Sequence, residues 1–272
     1  MKRQIPWIDL EDARRALVEG DGNGVRIAII DSGVEMSHPN LAHLVLAHDI
    51  QISDSGVQAE VKPGNGTDVF GHGTAVASII NKLAPKASLG SFQVLGEHLR
   101  SRTILIREGV RQAIDAGYDI LNCSFGCGVK EQVLLYKDWI DEAYLKGIHI
   151  VAACNNIDFR RPEWPGFFPS VITVNMAKVS SEHEFFRVPG NLVEFAAGGV
   201  DVEVAWLAKQ MRRVSGSSFA APRLAALLAR LLSRFGTLHP LEAKALLLNL
   251  ARDWRPELRA SNVVYDSCAA SR

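Results

Sequence analysis

The sequence predicts an α/β fold in three layers, with a mostly parallel central sheet and helices on both faces. Apolar strand-like segments alternate with segments of helical character along most of the 272-residue chain. Such alternation is typical of parallel βαβ units, whose helices cross over the faces of the sheet. Hydrophobic residues make up 47% of the chain, enough for a large core. Because no linker, charge block or repeat interrupts the pattern, we expect residues 1–272 to form one domain.

The predicted elements follow one another in a regular order. Residues 1–24 hold an N-terminal arm and a helix with amphipathic spacing around residues 9–19. Buried strands are predicted where apolar runs lie between turn residues, at 25–30, 87–95, 119–126, 148–153, 171–174 and 193–196. Helices are predicted after Gly73, after Ser218 and at 104–116, 132–145 and 241–251. Two stretches are predicted to be irregular, a polar loop at 42–69 and a C-terminal tail at 252–272.

Composition excludes several classes of function. Thirty basic residues balance thirty acidic ones, which argues against a nucleic-acid or membrane partner recognised through charge. No apolar run approaches membrane-spanning length and residues 1–10 lack a signal's apolar core, so we expect a cytoplasmic protein. We therefore expect free thiols, and no zinc site, at the four cysteines: Cys123, Cys127, Cys154 and Cys268. The oligomeric state is left open.

The first candidate catalytic residue is Asp31, which ends the first predicted strand. Open α/β sheets place catalytic groups at the carboxyl ends of their strands. The alternative is that Asp31 only forms a turn. The glycine-rich stretch 20–24 is not a dinucleotide-binding loop, because it precedes the strand, whereas such loops follow a strand and open a helix.

Two further candidates lie at predicted helix starts. His72 lies between two glycines, where the helix dipole disfavours the imidazolium and keeps the ring available as a base. Ser218 precedes an apolar helix, at a position where free backbone N–H groups can stabilise an anion. The alternative role for Ser218 is a helix N-cap.

Three glycine-containing fragments combine these candidates in the order Asp, His, Ser: Asp31-Ser32-Gly33, Gly71-His72-Gly73-Thr74 and Gly216-Ser217-Ser218-Phe219-Ala220-Ala221-Pro222. On these motifs, the chain resembles the subtilisin-like serine peptidases, or subtilases, from about residue 7 to residue 251. The resemblance implies an endopeptidase that forms an acyl-enzyme. It also implies that Ser218 is the nucleophile, His72 the general base and then acid, and Asp31 the group that orients His72.

The resemblance further implies an oxyanion hole, formed by the Ser218 backbone N–H and an asparagine side chain. That asparagine aligns with Asn156, although the two residues are open to exchange of register. The family has a glycine where this chain has Asn155. Because asparagine tolerates positive φ better than other non-glycine residues, we expect Asn155 to replace that glycine in such a conformation.

A peptide or protein substrate is expected to bind in extended form between residues 99–103 and 124–126. The predicted substrate-binding residues are Leu99, Arg100, Ser101, Ser124, Phe125, Gly126, Ala153, Cys154, Asn155 and Glu163. Glu163 aligns with the floor of the primary pocket, where a carboxylate would favour Lys or Arg before the scissile bond. The alternatives are that Arg160 or Arg161 neutralises Glu163, or that Glu163 lies in a solvated loop.

Two departures from the family matter. Residues 79–85 pass almost directly to the next strand, and Asn40 stands where a calcium-binding aspartate is common. We therefore expect no calcium in that loop, no other metal and no cofactor. We also expect no pro-segment, and Ile5-Pro6-Trp7 is a candidate for occluding the cleft.

Two alternatives to an endopeptidase stay open. One is a peptide-maturation peptidase or transpeptidase, in which an amine rather than water takes the acyl group. The other is a catalytically silent module that keeps the peptide groove, and the unusual Asn155 and the cysteines near the groove are its support.

Overall fold

The computed structural model describes residues 8–56, 58–188, 192–236 and 238–255. Ten of its strands form one sheet. In chain order these are β1 (Arg26–Asp31), β2 (His48–Asp54), β3 (Ala59–Pro63), β4 (Ser88–Gln93), β5 (Ile120–Cys123), β6 (His149–Ala153), β7 (Ile172–Ala177), β8 (Phe185–Arg187), β9 (Phe195–Gly198) and β12 (Arg252–Asp253). A separate hairpin holds β10 (Val202–Trp206) and β11 (Gln210–Val214). The helices are α1 (Leu10–Glu19), α2 (His72–Leu83), α3 (Thr103–Asp115), α4 (Val133–Leu145), α5 (Ser217–Phe235) and α6 (Pro240–Leu250).

The ten strands lie in the order β12-β8-β9-β7-β6-β5-β1-β4-β2-β3. All neighbouring pairs are parallel except β2 with β3 and β8 with β9. Parallel strands need helical crossovers, and these cover both faces of the sheet. The predicted mostly parallel, three-layer α/β fold is confirmed.

Side chains of β1 alternate between the two faces, as a strand requires. Ile27 and Ile29 join the apolar cluster that contains buried residues of α1, α2, α5 and α6. Ala28 and Ile30 join the cluster on the opposite face, with buried residues of α3 and α4. A strand covered on both faces brings its last residue, Asp31, into the interior of the protein.

The predicted loop at 42–69 is wrong in part, because β2 and β3 lie within it. β2 pairs in parallel with β4 and in antiparallel fashion with β3. Only Ile52 of β2 is fully buried, so the pair lies at the edge of the sheet and carries polar side chains. The polar composition of these edge strands resembles that of a loop, which is why the sequence predicted one.

The predicted tail at 252–272 also begins differently, because Arg252 and Asp253 pair with β8. Residues 256–272 lie outside the described part of the chain, as do Cys268 and the proposed occluding segment Ile5-Pro6-Trp7. Among the helices that the structure describes, none combines the length and the apolar character needed to cross a membrane.

Candidate active site

Asp31 lies at the carboxyl end of β1, which pairs with both β4 and β5 in the sheet. Its side chain is fully buried. The two carboxylate oxygens lie 2.8 and 3.0 Å from Nδ1 of His72, and one of them accepts the Ser32 backbone N–H at 2.8 Å. The carboxylate is therefore bound to the imidazole and does more than form a turn.

Glycines bring His72, the first residue of α2, close to the end of β1. A Cβ at Gly73 would lie 2.0 Å from the Gly33 carbonyl oxygen, so only glycine permits this approach. Gly71 has φ of +106°, and a Cβ there would lie 2.8 Å from the Trp206 ring. The glycines around His72 thus have specific steric reasons.

The His72 ring is almost fully buried, with 4% of the residue exposed. Burial alone would lower its pKa, but the charge and hydrogen bond of Asp31, with a further contribution from the charge of Asp68, raise the pKa above its usual value. The prediction that the imidazolium is disfavoured at this helix start is wrong, because Asp31 and Asp68 raise the pKa of His72. Since Asp31 holds Nδ1, the proton-accepting position left on His72 is Nε2.

Asp68 is a buried residue of this site for which the sequence predicted no role. It is 8% exposed, and its carboxylate accepts five hydrogen bonds. The donors are the Ser32 hydroxyl, the Thr74 hydroxyl and the backbone N–H groups of Phe70, Gly71 and Thr74. Ser32 Oγ in turn accepts the Gly73 N–H at 3.0 Å. Asp68 therefore joins the loop after Asp31 to the first turn of α2.

The start of α5 is anchored by Ser217 and not by Ser218. The Ser217 backbone N–H donates to Asn156 Oδ1 at 2.8 Å, and its hydroxyl donates to the Cys154 carbonyl at 2.6 Å. Gly216 is the N-cap residue, so the predicted alternative of Ser218 as N-cap is wrong. The Ser218 hydroxyl makes no hydrogen bond to a residue that the structure describes, and Ser218 is half-buried.

Pro222 leaves one carbonyl of α5 without its helical partner. Proline has no N–H, so it cannot donate to the oxygen four residues earlier, which belongs to Ser218. The Ser124 hydroxyl donates to that oxygen at 2.9 Å and so links the end of β5 to α5. Phe219 directly follows Ser218, and its ring centroid lies 5.2 Å from that of His72. The first turn of α5 therefore lies beside the imidazole.

Asn156 and Asn155 have different tasks. Since Asn156 Oδ1 accepts from Ser217, its Nδ2 is left to donate elsewhere. This Nδ2 and Ser218 Oγ lie 3.5 and 3.3 Å from the point that a Cβ on Gly216 would occupy, so they face the same space. Asn155 is not among the non-glycine residues with positive φ, so the predicted glycine-like conformation is wrong. Instead, its Oδ1 accepts the N–H groups of Ile157 and Asp158 and holds the loop.

The predicted pocket walls follow the carboxyl ends of the neighbouring strands β5 and β6. Strand β5 ends at Cys123, so residues 124–126, predicted to continue it, extend beyond the ladder. The backbones of Phe125 and Gly126 make no hydrogen bonds to described residues. Ala153 and Cys154 are buried, and burial raises the pKa of the Cys154 thiol to about 12.

Leu99 lies at the end of a turn, and Arg100 and Ser101 follow that turn. Leu99 has φ of +54°, and the Arg100 carbonyl accepts the Gly96 N–H at 3.0 Å. The Ser101 hydroxyl donates to the Val94 carbonyl at 2.6 Å. A strand cannot continue through a left-handed residue, so pairing of a substrate with Leu99 in β fashion is not compatible with this conformation.

Glu163 lies between the two predicted walls. One carboxylate oxygen accepts Asn155 Nδ2 at 2.6 Å, and the other lies 2.5 Å from where a Cβ on Gly126 would be. Within the described residues, neither Arg160 nor Arg161 forms an ion pair with Glu163. Arg161 acts on Glu163 only through a more distant charge, which lowers the pKa of the carboxyl less than burial raises it. Glu163 is partly buried, so it does not lie in a fully solvated loop.

The three cysteines in the described part of the chain, Cys123, Cys127 and Cys154, are free thiols, as predicted. Burial raises the pKa of the Cys123 thiol above its usual range. In the same residues, no group of three or more His, Cys, Asp or Glu side chains comes together as a possible metal site.

Comparisons with known proteins identify the family of this chain. A model of the subtilase family matches residues 22–265. Thermitase from Thermoactinomyces vulgaris is 29% identical over 225 residues, which are 79% of this chain and 77% of thermitase. Subtilisin E from Bacillus subtilis is 29% identical over 229 residues, which are 79% of this chain and 57% of that relative.

Solved structures give the same result. The structure of a cold-adapted subtilisin-like serine proteinase matches with a TM-score of 0.69 and 25% identity, over 85% of this chain and 83% of that one. The family match, the named relatives and this structure agree on both fold and class of enzyme. The chain therefore belongs to the subtilase family and is a subtilisin-like serine peptidase.

Proposed function

We propose that this protein is a serine endopeptidase that hydrolyses peptide bonds through an acyl-enzyme, with Asp31, His72 and Ser218 as its catalytic triad. The observation that carries the proposal is the buried contact of Asp31 with His72 Nδ1, at 2.8 and 3.0 Å, beside the first turn of α5. A carboxylate in that position keeps the proton on Nδ1 and leaves Nε2 to accept one.

In the proposed reaction, Ser218 Oγ attacks the substrate carbonyl carbon while His72 Nε2 takes the hydroxyl proton. The tetrahedral intermediate collapses, the C–N bond breaks, and His72 gives its proton to the leaving amine. Water then attacks the ester that the acyl group forms with Ser218, and His72 again acts as the base. The carboxylic acid product leaves, and His72 returns the proton to Ser218 Oγ. Asp31 stabilises the imidazolium at both stages, in keeping with the raised pKa of His72.

Two donors are proposed for the oxyanion. The Ser218 N–H belongs to the first turn of α5, where backbone N–H groups have no helical acceptor. Asn156 Nδ2 is the second, supported by the contact of its amide oxygen with the Ser217 N–H. An amide held by its oxygen is already oriented before charge develops, which is what electrostatic stabilisation of a transition state requires.

The substrate is proposed to bind in extended form along residues 124–126. Phe125 and Gly126 support this, because their backbone groups are free among the described residues and lie next to Ser124, which contacts the Ser218 carbonyl. Main-chain pairing gives affinity with little dependence on sequence. Leu99, which has positive φ, would contact the substrate through its side chain, and Arg100 and Ser101 would border the substrate in the same segment.

Labelling with a fluorophosphonate tests the proposal directly, because the probe reacts with an activated serine. We expect labelling of the wild-type chain and none of Ser218→Ala or His72→Ala. Ser215→Ala is the matched control, since Ser215 lies three residues earlier and contacts the Asp201 N–H, and it should label normally. Folded wild-type protein without labelling would favour a silent binding module instead. Mass analysis of products formed with an added amine separates hydrolysis from acyl transfer.

A further inference from the structure

The carboxylate of Glu163 has a position that the catalytic steps do not use. Glu163 lies between β6 and β7, directly before Trp164. The backbone of Trp164 pairs with Cys127 in both directions, each hydrogen bond being 2.9 Å long. This pairing holds the Glu163 loop against the segment that follows β5. The side chain therefore has a defined place and is not on a free loop.

Both segments that touch Glu163 also contact the start of α5. On one side, its carboxylate lies against Gly126, and Ser124 in the same segment donates to the Ser218 carbonyl. On the other side, it accepts from Asn155, whose neighbour Asn156 accepts the Ser217 N–H. The carboxylate thus lies at the junction of the two segments that flank Ser218.

Gly126 is necessary for this arrangement. A Cβ at that position would lie 2.5 Å from Oε2, 3.1 Å from Cβ and 3.2 Å from Cδ of Glu163. Any larger residue would displace the carboxylate. Glycine at 126 and glutamate at 163 therefore fit together as a pair.

The charge of Glu163 is not balanced by a close cation. No Lys or Arg nitrogen among the described residues lies within ion-pair distance, and its one side-chain donor is the neutral amide of Asn155. Burial raises the pKa of the carboxyl, while Asn155 and the more distant charge of Arg161 lower it. A partly buried carboxylate of this kind gains most from a ligand that supplies a positive charge.

We propose that Glu163 binds a basic side chain, Arg or Lys, of the substrate residue whose carbonyl Ser218 attacks. This rests on the proposed function, because it takes Ser218 as the nucleophile. With the substrate bound along residues 124–126, as proposed, the side chain of that residue would start between the segments of Gly126 and Asn155. A long cationic side chain directed along this gap meets the carboxylate at its end, and an arginine can form two parallel hydrogen bonds with it. A neutral side chain would leave the carboxylate without a charged partner.

The test uses the full chain and peptides that differ only at the residue before the scissile bond: arginine, lysine, leucine or citrulline. Citrulline has nearly the shape of arginine without its charge. We expect kcat/KM for arginine to exceed that for citrulline by about tenfold or more in the wild type. In Glu163→Gln, this ratio should fall towards one because kcat/KM for arginine falls, while the unfolding midpoint stays close to wild type.

Glu131→Gln is the matched control. Glu131 lies exposed in the short 3-10 turn Lys130–Gln132, and its substitution changes the net charge by the same amount. The control should keep the wild-type ratio of arginine to citrulline cleavage. Wild-type protein that labels but cleaves both peptides equally would overturn this inference alone. Loss of labelling in folded wild-type protein would overturn the proposed function together with it.

Discussion

Ser32 donates its hydroxyl to Asp68 at 2.8 Å, and through this contact the residue after Asp31 is tied to the helix that begins with His72. Asp68 also accepts the N–H groups of Gly71 and Thr74. These bonds fix the entry into α2 at the point where the imidazole leaves the backbone. Asp68 thus positions His72 without touching it through a hydrogen bond, and its charge contributes to the raised pKa of His72.

Asp68→Asn should shift the acid limb of the pH profile of kcat/KM to lower pH. His72 acts as a base only when neutral, and removing a negative charge lowers its pKa, so the neutral form persists to lower pH. Replacing one carboxylate oxygen by an NH2 group also leaves buried donors without acceptors, which should lower the free energy of unfolding by about 2 kcal/mol or more. The measurements are a pH–rate profile and denaturant unfolding.

Thr74→Val is the control for Asp68→Asn. It removes the hydroxyl that donates to Asp68 at 2.6 Å and accepts the Glu35 N–H at 2.9 Å, but it leaves the charge in place. Stability should fall while the acid limb stays where it is in the wild type. If both variants left the limb unmoved, Asp68 would have only a structural role.

Arg230 of α5 should be essential for stability, because it serves the ends of two other helices. Its guanidinium donates to the Leu17 and Val18 carbonyls in the last turn of α1, and to the Leu83 carbonyl at the end of α2. The residue is 8% exposed. Arg230→Met keeps much of the apolar stem but leaves these carbonyls without donors, so we expect a loss of about 2–4 kcal/mol in the free energy of unfolding.

Arg234→Met tests whether that loss is specific. Arg234 lies one turn later on α5 and is exposed. Its substitution should change stability by no more than about 0.5 kcal/mol. Equal denaturant midpoints for the two variants would show that the contacts of Arg230 with α1 and α2 contribute little.

The sequence predicted the parts of this site that depend on short-range rules. Asp31 at a strand end and His72 at a helix start were found because glycine motifs and apolar runs mark such positions. The contacts of Asp68 were not predicted, because its partner Ser32 is 36 residues away and no motif near Asp68 in the chain indicates the contact. Contacts of this kind exist only once the sheet has assembled.

Two other differences have local causes. No element was predicted for β10 and β11, whose hairpin turn holds Ala208 and Lys209 at φ of 57° and 60°. Sequence signals for such turns rely on Asn and Gly, which are absent here. Conversely, Asn155 was expected at positive φ, but its side-chain oxygen accepts hydrogen bonds from the backbone N–H groups two and three residues later. A polar side chain that satisfies a turn does not need the unusual backbone.

His149 should make the protein less stable in acid. It is 1% exposed, and burial, with the charge of His239, lowers its pKa to about 4, whereas the unfolded chain has the ordinary value of 6.5. The unfolded state therefore binds a proton at a higher pH than the native state. The titration of His149 leaves the free energy of unfolding nearly unchanged above pH 6.5. It lowers that free energy by up to roughly 3 kcal/mol as the pH falls from 6.5 to 4.

Comparison with His149→Gln isolates this effect, since glutamine does not titrate. Denaturant unfolding at several pH values between 7 and 4 should give two curves that separate steadily as the pH falls, with the wild type losing more. The carboxyl groups titrate in the same way in both proteins, so their contribution to the free energy of unfolding cancels in the difference. Parallel curves would show that His149 does not carry the acid sensitivity.

The preference for a basic residue before the scissile bond should itself depend on pH. Glu163 attracts a cation only when ionised, and burial raises its pKa in the free enzyme. The ratio of kcat/KM for arginine and citrulline peptides should therefore be largest at neutral pH and decline as the pH falls through the pKa of Glu163. Titration of His72 affects both substrates equally and cancels in the ratio, because kcat/KM reports the ionisations of the free enzyme.

In Glu163→Gln, the ratio should be small and flat across the same pH range, and in Glu131→Gln it should follow the wild-type curve. The midpoint should lie above that of an ordinary glutamate, since burial is the largest contribution and the amide of Asn155 only partly opposes it. A ratio that declines with the same midpoint in Glu163→Gln would assign the basic preference to a different carboxylate. A flat wild-type ratio would mean that the cation is recognised without Glu163 changing its charge.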